Sequence, residues 1–257
     1  MSFAFKADMS KANDRVKWEF LHCVMMKMGF NEIWRGWVKE CLSSVSYQVL
    51  VNWFPSRKFS PTRGLRQGDP LSPYLFILCA EGLHALLKKA EERRLIHGIS
   101  VCRRSPAVSH LFFADDCLIF IKGGLNSAGH LKSILLAYER ASGQKIIFTK
   151  SALCCNPTMA ASLKADILDI LQVKVIDNFD KYLDLPTFVG KDKRKVFGVI
   201  RERVWNKIKG WENFKFSKGS KEILMKAVLQ ALPCYFMGVF KIPQALCDDL
   251  NSLIANF

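Results

Sequence analysis

Nowhere in the 257 residues is there an apolar run of the ~20 residues needed to span a bilayer. The two most apolar stretches, residues 74–87 and 229–240, are broken by Glu81 and His84 and by Gln230 and Pro233. The first eight residues meet Lys6 and Asp8 too soon to read as a secretory leader. There is no internal repeat and no low-complexity tract. The 9 cysteines are odd in number and scattered, with no C-x-x-C pair and no His at zinc-ligand spacing from one. A disulfide framework and a structural zinc are therefore not expected. The cysteines are expected to act as small core residues in a reducing compartment, with no membrane partner.

What the chain does carry is positive charge. It has 38 Lys and Arg against 23 Asp and Glu, a formal charge of +15. Such an excess suits either a basic soluble surface or a polyanionic partner held by phosphate contacts and counterion release. The excess is uneven: residues 181–226 hold 13 basic and 5 acidic residues, a net +8 in less than a fifth of the length. A polyanion would lie mainly against the C-terminal region. Half of the residues are apolar, enough for a folded core.

Hydrophobic periodicity predicts an α+β fold. Residues 2–8 alternate and end on Asp8, as a short strand would. Residues 11–30 read as a buried helix carrying Val16, Phe20 and Val24 on one face, and 32–42 as a second. Residues 46–51 alternate like a strand, with 58–60 as its hairpin partner. Asp69-Pro70 and Ser72-Pro73 mark a helix start, and that helix runs to about Arg94. Residues 108–114 and 117–121 are apolar runs separated by Asp115-Asp116, a tight hairpin. Helices near 127–138 and 159–171, strands near 145–148 and 181–185, and three helical segments to the end complete the pattern.

Two adjacent carboxylates at a hairpin tip have two readings. Asp is a good turn residue and nothing more is required. Alternatively, two like charges held together favour a cation between them, and a strand-end Asp elsewhere would complete an all-oxygen magnesium site. Asp8 is the candidate, and Ala114 is small enough to let a substrate approach. The segment Arg63-Gly64-Leu65-Arg66-Gln67-Gly68-Asp69-Pro70-Leu71-Ser72-Pro73 also has two readings, a glycine-containing loop that caps a helix or a substrate-binding loop. In the second, Gly64 and Gly68 allow close approach, Gln67 both donates and accepts, and Arg63 and Arg66 reach phosphate.

These segments, in this order, resemble the palm of a reverse transcriptase. The motifs that carry the likeness begin with Asp8-Met9-Ser10-Lys11-Ala12-Asn13-Asp14, followed by Gly64 through Pro73 and by Phe113-Ala114-Asp115-Asp116. Ser142-Gly143-Gln144-Lys145, Lys150-Ser151, Tyr182-Leu183-Asp184-Leu185-Pro186 and residues 219–228 extend it over essentially the whole chain. The closest resemblance is to LINE-type (non-LTR) retrotransposons of flowering plants. It implies a right-hand polymerase fold, with a palm over residues 1–186 and a basic helical thumb over 187–257. It implies an RNA-directed DNA polymerase that extends a DNA primer on an RNA template from deoxynucleoside triphosphates. Asp8, Asp115 and Asp116 are then the catalytic and metal-binding set for two Mg2+ ions. Asn13, Arg66, Gln67, Gly68 and Lys150 bind nucleotide and template, and Tyr182, Leu183, Asp184, Leu185 and Pro186 grip the primer. Nucleus and cytoplasm are the compartments expected.

The chain departs from the family pattern in places. Asn13 stands where the family usually has an aromatic that excludes a 2′-hydroxyl. Trp53 replaces the Gly of a two-residue turn, Ile147 an Asn, and Asp184 the Gly of the primer-grip turn. Basic fingers residues of the family lie before its first Asp, so a truncated fingers region is expected here. The alternative functions are a non-catalytic nucleic-acid-binding remnant that uses the basic thumb, and a splicing maturase of related fold.

Overall fold

The computed structural model describes residues 1–179, 181–187, 189–190 and 193–257. The chain divides into two units, Met1–Asp177 and Asn178–Phe257. The hairpin at residues 181–186, expected from the sequence at the end of the palm, lies in the second of these units.

The first unit runs β1 (Ser2–Ala7), β2 (Met9–Ser10), α1 (Trp18–Lys27), α2 (Glu32–Ser43), β3 (Leu50–Val51), β4 (Phe54–Pro55) and α3 (Ser72–Glu92). It continues with β5 (Ile99–Ser100), β6 (Ala107–Val108), β7 (His110–Phe113), β8 (Asp116–Lys122), α4 (Leu125–Ser142), β9 (Lys145–Ile146), β10 (Ala152–Cys155), α5 (Ala161–Leu171) and β11 (Lys174–Ile176). A five-stranded sheet in the order β11-β10-β1-β8-β7 is its frame. Only β10 and β11 pair in parallel.

Period-two alternation explains how the sheet is buried. Phe3, Phe5 and Ala7 of β1 join Cys117, Ile119 and Ile121 of β8 in one core. Leu83 and Leu87 of α3, Leu131 and Leu135 of α4, and Ile167 and Leu171 of α5 complete it. The opposite parity of β1 and β8 leaves Lys6 and Asp116 on the other face, where they form an ion pair of 3.3 Å.

Several sequence expectations are corrected. The first helix begins at Trp18, not Lys11, because the backbone of residues 11–17 bonds elsewhere: Lys17 N–H donates to Ser142 O (2.8 Å), and Val16 O accepts from Gly64 N–H (2.8 Å). The strand expected at 46–51 reduces to a bridge between Tyr47 and Phe59 and the short β3–β4 hairpin, whose turn is Asn52-Trp53. The Asp115-Asp116 turn shifts by one residue: Ala114 and Asp115 form it, and Asp116 opens β8. Cys79 and Cys117 are buried core residues, whereas Cys23, Cys41, Cys102 and Cys234 are exposed. Burial pushes the Cys79 thiol up to about 12.

The second unit holds β12 (Lys181–Tyr182), β13 (Leu185–Pro186), α6 (Lys193–Trp211), α7 (Lys218–Leu224), a π-helical turn (Met225–Leu229), α8 (Ala231–Met237) and α9 (Gln244–Ala255). Phe197, Ile200, Val204 and Ile208 recur at helical spacing on α6 and pack with Leu229, Phe236, Leu246 and Leu250. Arg201, Lys207 and Lys209 of α6 are exposed. No helix among the described residues is long and apolar enough to cross a membrane.

Candidate active site

The register of β1 against β8 ends at Ala7 opposite Cys117, and one step further it sets Asp8 opposite Asp116. Asp115 sits beside them in the β7–β8 turn, where Ala114 takes φ +49°. A left-handed backbone is costly for alanine, and such strain concentrates at functional sites. Asp8 is fixed through its backbone. Its N–H donates to Ser151 Oγ (3.0 Å), and its carbonyl accepts from Ile147 N–H (2.8 Å). Ser151 is buried and donates in turn to Ile147 O (2.9 Å), so one serine ties the strand end to the loop that carries Lys150.

Asp8, Asp115, Asp116 and Lys150 all line one cavity of about 300 Å3, together with Lys6. A second, larger space of about 680 Å3 is lined by Asn13, Arg66, Gln67, Gly68, Phe113, Ala114 and Asp115. Asp115 borders both. The expected catalytic and nucleotide-binding residues thus lie around two adjoining spaces. Tyr182 to Pro186 belong to the second unit.

The two glycines of the loop do different jobs. Gly64 has φ +91°, and a Cβ there would lie 2.7 Å from Asp14 O, so the loop is pressed against the segment that follows Asp8. Leu65 N–H donating to Asn13 O (2.9 Å) holds that contact. Gly68 has φ +84° and open space around it, so only its backbone angle requires glycine. Gln144 is buried and donates to Ala12 O (2.9 Å), while Tyr138 Oη donates to its side-chain carbonyl. Burial raises the Tyr138 phenol pKa, so this hydroxyl stays a donor.

The sequence assigns no role to Lys6, and Ser151 enters it only as a member of the Lys150-Ser151 motif. Lys6 carried a usable signal, two residues before Asp8 on a period-two strand and hence on the same face. The bond from Asp8 to Ser151 carried none, since it spans 143 positions.

A divalent cation is tested by the donor set. Three carboxylates, none fully buried, line one cavity, and an ammonium already stands 3.3 Å from Asp116 Oδ1, so a positive charge is accommodated there. Against this, no group of three or more His, Cys, Asp or Glu among the described residues lies close enough to hold a metal. The residue types fit an oxygen-ligated cation; the side chains stand further apart than a closed ligand set.

In the second unit, the β12–β13 turn puts both Leu183 (φ +52°) and Asp184 (φ +59°) in the left-handed region. Asp tolerates this and Leu does not. Tyr235 Oη donates to Leu183 O at 2.6 Å, and Arg203 lies 4.0 Å from Asp184. The negative charge that replaces the family's glycine is therefore faced by a local cation.

A helix-backed, mostly antiparallel sheet with carboxylates at a strand end and at the neighbouring hairpin tip is the arrangement that the sequence resemblance led one to expect. The family described as reverse transcriptase (RNA-dependent DNA polymerase) matches residues 2–216, and the chain belongs to it. A Xenopus laevis transposon TX1 protein of 149 kDa is 27% identical over 83% of this chain and 16% of its own length. The retrovirus-related Pol polyprotein from the type-1 retrotransposable element R2 of Popillia japonica is 25% identical over 90% of this chain and 37% of its own. A mitochondrial protein of Arabidopsis thaliana is 54% identical over 26% of this chain and 55% of its own. The chain thus spans between about a sixth and about half of these relatives.

Proposed function

We propose that the chain is the polymerizing part of a LINE-type retrotransposon reverse transcriptase, extending a DNA primer on an RNA template from deoxynucleoside triphosphates. The observation that carries this reading is Asp115, which borders both the carboxylate cavity and the groove of Asn13, Arg66, Gln67 and Gly68. The groove seats the incoming nucleotide against the template base, and the cavity receives its phosphates. Asp8 and Asp115, with Asp116 beside them, would hold two Mg2+ ions. Bound there, these would activate the primer 3′-hydroxyl and neutralise charge on the attacked phosphate and the leaving pyrophosphate. Lys150, exposed on the cavity rim, gives a proton to the leaving pyrophosphate. Lys6 holds one oxygen of Asp116 and competes with a cation for it. The β12–β13 turn grips the primer, and the exposed Arg201, Lys207 and Lys209 of α6 meet backbone phosphates.

A second reading, a non-catalytic nucleic-acid-binding protein, is favoured by the Lys6–Asp116 pair and by the open spacing of the acids. Primer extension on an RNA template with Mg2+ separates the two. Extension that Asp115→Ala abolishes supports the polymerase. Salt-dependent duplex binding with extension no better than that of Asp115→Ala supports the binding protein.

A further inference from the structure

Away from the carboxylate cavity, two histidines from separate elements meet. His84 of α3 and His110 of β7 bring Nδ1 and Nε2 to 2.7 Å, with ring centroids 4.9 Å apart and ring planes at 62°. Both rings are half-buried, so an ion reaches them from solvent without opening the core.

The direction of each bond around the pair follows from its partners. Ser109 Oγ donates to Glu91 Oε2 (3.0 Å), so it accepts from His110 Nδ1–H (2.9 Å). That fixes the His110 tautomer and leaves a lone pair on Nε2, which accepts from His84 Nδ1–H. Burial and the neighbouring His84 hold the His110 pKa below its ordinary value, with Glu91 and Glu81 acting the other way, and this keeps the lone pair free of a proton at neutral pH. A hydroxyl backed by a carboxylate behind one ring is the arrangement that orients and strengthens an imidazole ligand.

Two imidazole nitrogens on one tetrahedral ion, each at ~2.0–2.1 Å, stand about 3.3 Å apart. Small rotations of two half-buried rings supply the difference. His84 then carries its proton on Nε2 in place of Nδ1, a change of tautomer that releases no proton. Among the described residues no third His, Cys, Asp or Glu completes a set of three, so water fills the remaining positions. Such a pair serves nitrogen-preferring ions well and Mg2+ poorly.

We propose that His84 and His110 form a separate, open metal site for a nitrogen-preferring divalent transition ion such as Zn2+. Occupied, it fastens β7, the edge strand that leads into the Asp115 turn, to α3. The site stands or falls without the polymerase reading.

The test titrates Zn2+ into the full chain by calorimetry, with Mg2+ in excess and a phosphine reductant, because exposed thiols such as Cys23 and Cys234 also take zinc. The wild type should bind one more equivalent than His84→Gln, whose amide still donates to His110 but supplies no imidazole. His97→Gln and His130→Gln should match the wild type. Ser109→Ala should keep the equivalent and bind it about tenfold more weakly. Zn2+ should also slow amide exchange at residues 110–113 of the wild type, a readout that needs no variant. Equal stoichiometry in the wild type and His84→Gln overturns the site, the zinc then being held by thiols alone. Unchanged exchange at residues 110–113 overturns it as well, and so does an equivalent lost in His97→Gln or His130→Gln.

Discussion

Replacing Gly64 and Gly68 by alanine, one at a time, separates two reasons for a glycine on the same loop. At Gly68 (φ +84°, nothing within 4 Å) the added methyl meets only the backbone cost of a left-handed L-residue, about 1–2 kcal/mol. Reduced freedom of the unfolded chain returns roughly 0.4–1 kcal/mol, so Gly68→Ala should cost about 1 kcal/mol or less. At Gly64 the same backbone term applies, and the methyl also lies 2.7 Å from Asp14 O, 3.0 Å from its carbonyl carbon and 3.1 Å from its Cα. These are backbone atoms and cannot rotate away. The loop must withdraw, which strains the bonds from Gly64 N–H to Val16 O and from Leu65 N–H to Asn13 O. At about 1 kcal/mol for each bond, the total rises to about 2–4 kcal/mol. Urea unfolding with an unchanged m value measures both costs. Withdrawal also moves Asn13 away from Gln67, so Gly64→Ala should lose primer extension beyond its loss of stability, and Gly68→Ala should not. Equal midpoints for the two variants would mean that the contact of Gly64 with Asp14 carries no cost of its own.

Trp53 has φ +70° and is 90% exposed, so Trp53→Gly should stabilise by about 1 kcal/mol in thermal or urea unfolding, with little burial lost. His110 is hydrogen-bonded to His84 (2.7 Å) and Ser109 (2.9 Å); burial and the nearby His84 lower its pKa, while Glu91 and Glu81 act the other way. Below about pH 6.5 the unfolded chain then takes up the proton more readily than the folded one. The stability contributed by neutral His110 is present above that pH and lost as pH falls through the folded value. His110→Phe should flatten this slope in unfolding measured from pH 7.5 to 5. Asn13 lines the nucleotide groove, and Asn13→Tyr should raise the preference for dGTP over GTP in steady-state incorporation; an equal preference in both proteins would remove its assigned role.

The frame of the site was legible because its signals are local. Alternation placed Asp8 at a strand end, two apolar runs placed the acidic hairpin, and the loop before Ser72 marked both a helix start and a groove wall. What stayed hidden depends on distant partners. β10 is a short apolar run that pairs with β1 across about 150 residues, and β11 is shorter still, so neither has a pattern of its own. Residues 11–17 have helical periodicity, but bonds to Ser142 and Gly64 claim their backbone first. Ser151 is one serine among several until Asp8 is brought to it. The one-residue shift of the acidic turn follows from Ala114, which takes the left-handed position usually left to Gly, Asn or Asp.

The central claim, that Asp8 and Asp115 are paired carboxylates of a nucleotidyl-transfer site, is tested most directly by single-nucleotide incorporation. The measurement uses an RNA template, a DNA primer and Mg2+, comparing wild type with Asp8→Asn and Asp115→Asn. Each substitution keeps side-chain size and removes one charge. Incorporation should be at least about a hundredfold slower in both variants, about 2.7 kcal/mol of lost transition-state stabilisation, with primer–template affinity unchanged. Incorporation by the wild type no faster than by either variant would contradict it.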